Sequence, residues 1–294
     1  MFKVRKVSPY AYSRPKDSAV VTPLCRTTAF NRHSTNEGTY VSPYDQGFVD
    51  VGLDHIKVTL VQGLNEEMLK KTMSIATRAA VGLDMAAVHE DDYKDMFKGG
   101  LQSIMESQVV IFAVEGITRT CTHQLVRTRK AAFHQQSMRP SFMGVQPNTR
   151  VPESIWNNER ARIAFLRAME ASHEAYRIAA EEDIAYQDCR EVLLEGTETS
   201  ILCEYPLREF INTYQYRACS MFNHQIVQVF REMGRLLVEA HPFLEPLIKI
   251  SCEKGQHCTY QGHEFVDLQC DFPWANEETR TFRPQRNRIG QKTS

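Results

Sequence analysis

The sequence predicts an α+β fold built from short strands and long helices, and three stretches carry that prediction. "HIKVTLV" (His55 to Val61) alternates apolar and polar residues as a half-buried strand does. "SQVVIFAV" (Ser107 to Val114) is a short β-branched run closed by Glu115 and Gly116, which suits a buried strand. From Asn158 to about Gln187 the chain is rich in Ala, Glu and Arg. Ile163, Leu166 and Met169 share one stripe there, so an amphipathic helix opened by "NNE" is expected.

The other elements follow in chain order. Residues 1 to 50 are rich in Ser, Pro, Tyr, Asn and Thr, have little apolar periodicity, and read as an extended segment ordered by packing on the rest. "NEEMLKKTMSIATRAAVG" has Asn65 as N-cap, acids in its first turn and Gly82 just past its end, the signature of a helix. Ile117, Cys121 and Leu125 recur at helical spacing, so "ITRTCTHQLVR" is expected as a helix presenting Gln124 and Arg127 on one face. Ala131 to Pro140 has no period and reads as a loop. A shorter helical piece carries Asp188, Arg190 and Leu194, and Pro206 opens a long helix running to Ala240. Along that helix Arg208 and Asn212 share one side, while Arg217 points roughly the opposite way at ~100° per residue. No repeat, low-complexity tract or linker divides the chain.

Of the 294 residues 42% are hydrophobic, enough for a sizeable core. Lys and Arg number 35 against 36 Asp and Glu, so no whole-protein field attracts a polyanion and any basic patch is local. No apolar run reaches the ~20 residues of a membrane span, and "MFKVRKVSPY" lacks the apolar core of a signal peptide. A cytoplasmic protein is expected, its eight cysteines free thiols rather than a disulfide scaffold.

The local patch is "QLVRTRKAAFHQQSMRPSF", where Arg127, Arg129, Lys130 and Arg139 are interleaved with amides, a hydroxyl and a histidine. Guanidinium groups bind phosphate and carbonyl oxygens bidentately, so the patch suits a ligand rich in such groups. A solvated basic surface, or a single-strand or RNA-binding loop with Phe133 and His134 as stacking groups, would carry the same charge pattern.

Arg127, Thr128 and Arg129 followed after seven residues by Ser137 resemble the R-H-R-x7-S signature of the flavin-dependent thymidylate synthases. Three other segments resemble that family in the same order: "GLQSIMES", "CREVLL" and "REFINTYQYR". The resemblance covers roughly residues 50 to 245. It implies that family's α+β fold, with long helices packed on an antiparallel sheet. It also implies a catalytic domain over 51–245, preceded by the 1–50 segment and followed by a 246–294 extension.

The resemblance further implies reductive methylation of dUMP at C5 to dTMP. Methylenetetrahydrofolate donates the carbon, FAD carries the hydride and NADPH reduces the flavin, with no cysteine nucleophile. Carried over residue by residue, Arg217 is the catalytic cation that stabilises charge developing on the pyrimidine. Gln124, Arg127, Gln135, Ser137, Arg139 and Arg190 join it in binding the nucleotide. Ser103, Arg127, Thr128, Arg129, Gln135, Arg208 and Asn212 form the flavin side. A homotetramer with composite sites is implied, with neither nucleic acid nor membrane as partner. The chain departs from the family pattern at Thr128 and Leu101, both usually histidine, at Pro206, usually asparagine, and at Gln135. These departures point to an alternative, a flavin-dependent methylase or hydroxymethylase of another pyrimidine nucleotide such as UMP.

Cys252, His257, Cys258, His263 and Cys270 are all possible zinc ligands, but their spacings fit no common zinc pattern, so free thiols are expected. Met221, Phe222, Val229 and Phe230 read as core or subunit interface, and the basic tail after Arg280 as solvated.

Overall fold

The computed structural model describes residues 56–87, 89, 103–138, 148–220, 222 and 224–255. The expectations for 1–50, Leu101, Arg139, Met221, the histidines and cysteines beyond Gly255 and the basic tail lie outside them. Four antiparallel strands form one sheet in the order β1-β2-β4-β3. They are β1 (Lys57–Gln62), β2 (Val109–Thr118), β3 (Ala132–Gln135) and β4 (Glu198–Pro206). The helices are α1 (Glu66–Ala80), α2 (Arg119–Leu125), α3 (Glu153–Trp156), α4 (Glu159–Glu181), α5 (Tyr186–Cys189), α6 (Leu207–Arg217), α7 (His224–Ala240) and α8 (Ser251–Gly255). The α+β class is thus as the sequence predicts.

Period 2 in β2 and β4 puts Val110, Phe112, Val114, Ile201, Cys203 and Tyr205 on one fully buried face. That face meets Leu69 and Met73 of α1, Cys121 and Leu125 of α2, Phe210 and Ile211 of α6, and Val229 and Phe230 of α7. A smaller cluster of Val151, Leu166 and Met169 joins α4 to the segment before α3. Asn65 and Asn158 cap α1 and α4 through side-chain oxygens that accept from Met68 N–H and Ala161 N–H.

The structure corrects six readings of the sequence. β2 does not stop at Val114. Gly116 takes φ 76°, and the register with β4 shifts between Val114 and Ile117, so the glycine makes a bulge and the strand runs on to Thr118. Ile117 is therefore a strand residue, and α2 begins only at Arg119. The expected loop after Ala131 contains β3, which pairs Ala132 to Gln135 with Glu204 to Ile201. Its four residues have no period of their own, and β4 supplies their backbone partners. β4 runs over Glu198–Pro206, where the sequence pattern predicts no strand. The long helix from Asn158 ends at Glu181, where Asp183 turns the chain with φ 58°. The helix opened by Pro206 is two helices, α6 and α7. Arg231 Nε donates to Ala218 O (3.1 Å) and so satisfies a carbonyl at the break.

Close approaches fix the helices on the sheet. His241 Nε2 accepts from Leu64 N–H (2.9 Å) and Nδ1 donates to Glu66 (2.7 Å), which ties the end of α7 to the β1–α1 junction. Gly63 leaves no room for a side chain there, since a Cβ would stand 2.6 Å from His241 Nε2. In α7, a Cβ on Gly234 would meet the Tyr214 ring at Cζ (2.9 Å) and Ile248 Cγ2 (3.0 Å). Gly234→Ala therefore gains helix propensity yet overpacks the α6–α7 contact. A net loss of about 1–3 kcal/mol is expected in denaturant unfolding, and a gain in stability would refute the close packing.

His173 of α4 is buried against Thr149 Oγ1 (3.1 Å), and burial lowers its pKa to about 4. The unfolded chain binds a proton there near pH 6.5 and the folded chain does not. Stability is therefore complete above pH 6.5 and falls as pH drops towards 4, by up to about 3 kcal/mol. Urea titrations between pH 7 and 4 check this, and His173→Gln is expected to flatten that part of the profile.

Candidate functional site

The cationic stretch is laid out by α2 and β3 over β4. Thr118 caps α2: its Oγ1 accepts from Cys121 N–H (3.3 Å) and donates to Gln225 Oε1 (2.8 Å) of α7, which also accepts Thr118 N–H. At the other end, Arg127 N–H and Thr128 N–H donate to Gln124 O and Leu125 O and close a turn. Arg127, Arg129 and Lys130 stand exposed, while Thr128 between them is only 9% exposed. Gln135 Nε2 donates to Thr122 Oγ1 (3.0 Å), tying β3 to α2, and Gln124 is half-buried nearby along α2. Ser137 is exposed just past β3, as its chain leaves towards the Glu198 end of β4.

At the Pro206 end of β4, the turn Ser103–Ser107 meets the start of α6. Pro206 is the N-cap of α6 and gives it no side-chain cap, a bond that asparagine there would supply. Leu207 N–H instead donates to Gln108 O (2.8 Å). Arg208 Nη1 lies 2.9 Å from Glu106 Oε1, and Lys130 Nζ lies 3.9 Å from the same oxygen. With Pro206, Glu209 and Asn212 these residues line a cleft of about 230 Å³. Two cations face Glu106, and Glu209 adds a second carboxylate to the lining, so the charges of the cleft balance. The structure thus brings Arg208, Asn212 and Lys130 together, with Ser103 exposed on the adjoining turn.

Arg190 lies towards the opposite end. Its Nε donates to Gln187 O (3.1 Å) in a short turn that leads into Leu193 and Leu194. From there Glu195 O and Thr197 O accept Thr120 N–H and Arg119 N–H at the start of α2. Arg119 is half-buried. Burial lowers its pKa, Glu195 opposes that, and the Arg190 charge adds to the lowering, so two guanidinium groups share this corner. Sequence reading singled out Arg190 and missed Arg119, although "ITRTCT" holds a cation at the head of the same helix.

Arg217 ends α6, half-buried, with its guanidinium over the rings of Phe222 (5.1 Å) and Tyr216 (5.8 Å). Its charge reaches the buried Cys121 thiol of α2, where burial pushes the pKa up to about 12 and Arg217 opposes the rise. Burial pushes the Cys203 thiol up as well, with Cys121 adding to it. Both thiols therefore stay protonated near neutral pH and are poor nucleophiles. Among the described residues no cluster of His, Cys, Asp and Glu could hold a metal ion, and Cys252 is buried in α8. No helix among them is long and apolar enough to cross a membrane.

The family model described as "Thymidylate synthase complementing protein" matches residues 62–243. The chain belongs to this family. The flavin-dependent thymidylate synthase of Geobacter sulfurreducens is 36% identical to it over 144 residues, covering 49% of this chain and 62% of that enzyme. The match thus spans less than two thirds of that relative. The flavin-dependent thymidylate synthase of Pyrococcus abyssi is 29% identical over 183 residues, 60% of this chain and 74% of that one. Among solved structures, the UMP/dUMP methylase PolB from Streptomyces cacaoi bound with 5-Br dUMP shares the fold. Its TM-score is 0.55 at 17% identity, over 68% of this chain and 96% of that one.

Proposed function

We propose that this protein is a flavin-dependent thymidylate synthase that methylates dUMP at C5 to dTMP, using methylenetetrahydrofolate, FAD and NADPH. The observation that carries the reading is the distribution of cations on one helix. α6 begins at a cleft where Arg208, Asn212 and Lys130 meet Glu106 and Glu209, and ends at the half-buried Arg217. Ser103, Arg127, Thr128, Arg129, Gln135, Arg208 and Asn212 form the flavin side, Thr128 being buried between the two exposed arginines. Gln124, Arg127, Gln135, Ser137, Arg139 and Arg190 hold the nucleotide, and Arg119 joins Arg190 on phosphate. Bound flavin supplies the hydride. Arg217 is a permanent cation that stabilises negative charge growing on the pyrimidine ring. The protonated Cys121 and Cys203 are consistent with a route that uses no thiolate.

The geometry also supports a homotetramer with composite sites. Arg190 lies towards the Glu198 end of β4 and Arg208 follows its Pro206 end, roughly 26 Å of strand away. A single site containing both is most simply assembled from different copies of the chain. Light scattering checks the assembly.

Purified protein incubated with dUMP, NADPH, FAD and labelled methylenetetrahydrofolate is expected to form labelled dTMP. Absence of product from every pyrimidine nucleotide would overturn the reading. A second reading, methylation or hydroxymethylation of UMP, is favoured by Thr128 and Pro206 and by a fold shared with a UMP/dUMP methylase. Product from UMP but not dUMP would select it. A colourless protein that takes up no FAD but retains single-stranded RNA would favour a binding module.

A further inference from the structure

The core does not end with the family match at residue 243. Leu244, Leu247, Ile248, Ile250 and Cys252 follow it, all buried, and all join the cluster that packs on the sheet. Residues 244–255 return to α6 at its C-terminal turn, the turn that carries Arg217. Tyr214 of that turn is pressed against Gly234 of α7, and Ile248 reaches the same spot. A Cβ on Gly234 would lie 2.9 Å from Tyr214 Cζ and 3.0 Å from Ile248 Cγ2. One residue beyond Tyr214, Gln215 O accepts the hydroxyl of the half-buried Ser251 (3.3 Å).

The end of a helix needs such help. Its last four carbonyls have lost their intrahelical donors and are satisfied only if other groups supply them. In α6, Tyr214 O accepts Ala218 N–H (3.1 Å) and Tyr216 O accepts Cys219 N–H (3.1 Å), donors from the turn itself and its exit. Gln215 O and Ala218 O take donors from outside, the Ser251 hydroxyl and Arg231 Nε (3.1 Å). Arg231 belongs to α7, whereas Ser251 opens α8. Arg217 rests on the rings of Tyr216 and Phe222, which belong to the same turn and its exit, so its guanidinium moves with this backbone.

We propose that residues 244–255, beyond the family match, serve the site as well as the core, with Ser251 a positioning residue that holds Arg217 in place through Gln215 O. This rests on the role given to Arg217 above. Displacing a catalytic group by about 1 Å costs on the order of 10²-fold in rate. Loss of one hydrogen bond loosens the turn without unfolding it, so the effect is smaller and falls on kcat.

The test compares Ser251→Ala, which removes the donor, with Ser251→Thr, which keeps it, each in the parent and in the Arg217→Gln background. In Ser251→Ala, kcat for dTMP formation is expected to fall about five- to tenfold with KM for dUMP within twofold of the parent, and Ser251→Thr to restore kcat to within about twofold. In the Arg217→Gln background Ser251→Ala is expected to add nothing, because its effect runs through Arg217. Hydrogen exchange of a peptide spanning residues 214–220, read by mass spectrometry, is expected to quicken about fivefold in Ser251→Ala, with the start of α6 unchanged. Unchanged kcat, a loss confined to KM, or full additivity with Arg217→Gln would overturn the proposal. So would unchanged exchange in this peptide. If the parent forms no product from any pyrimidine nucleotide, the functional reading fails, and the brace on α6 stands or falls on the exchange result.

Discussion

Replacing Arg217 by glutamine is expected to lower kcat for dTMP formation by about 10²–10³-fold, the usual cost of removing one preorganised charge-stabilising group. The prediction follows from the proposed role of Arg217 and from its setting. The guanidinium is half-buried and braced over Phe222 and Tyr216, which holds a cation in one place at low reorganisation cost. Glutamine keeps hydrogen-bonding capacity and much of the length but not the charge, so Tm is expected to shift by only a few degrees. Arg217→Lys keeps the charge but loses the planar fork and its stacking, and is expected to fall between the two. Steady-state kinetics with dUMP read the result, and activity within tenfold of the parent in Arg217→Gln would remove this arginine from the chemistry.

Glu198→Ala is expected to cost about 3–5 kcal/mol of stability, because it strands a buried charge. Arg150 is 2% exposed, and among the described residues its ion pair is Nη2 to Glu198 Oε2 at 3.1 Å. Arg150 Nε and Nη1 are buried with no partner among them, so none of the described residues is in place to take over. Arg150→Met removes the charge while filling similar volume. The half-exposed Glu198 carboxylate then remains hydrated, so that change is expected to be neutral or stabilising. Urea unfolding of both variants decides the matter. A cost below about 1 kcal/mol for Glu198→Ala would mean that water or a moving side chain reaches Arg150.

Part of this architecture was legible because its causes are local. Asn65 and Asn158 announce α1 and α4, since an asparagine oxygen beside free helix N–H groups needs no distant partner. Alternation in "HIKVTLV" announces β1. β4 was equally open to view, since Thr199, Ile201, Cys203 and Tyr205 alternate in burial with their neighbours, but the polar residues between them masked it. β3 was not legible. Its four residues are extended because β4 offers them an edge, a fact written in neither segment alone. The continuation of β2 past Gly116 likewise depends on pairing with Thr199 and Glu198 on the far side of the bulge.

The candidate site divides along the same line. The sequence by itself determined the α+β class, the family, and the order of the cationic segments, because these depend on residue identity and spacing along the chain. Only the tertiary structure decided that Arg208 faces Glu106 and Lys130 in one cleft, that Arg119 joins Arg190, and that Thr128 is buried between two exposed arginines. Each of these depends on which strand lies beside which. Spacing along the chain fixes the direction of a side chain only within its own helix or strand, whereas pairing across the sheet fixes what that side chain meets.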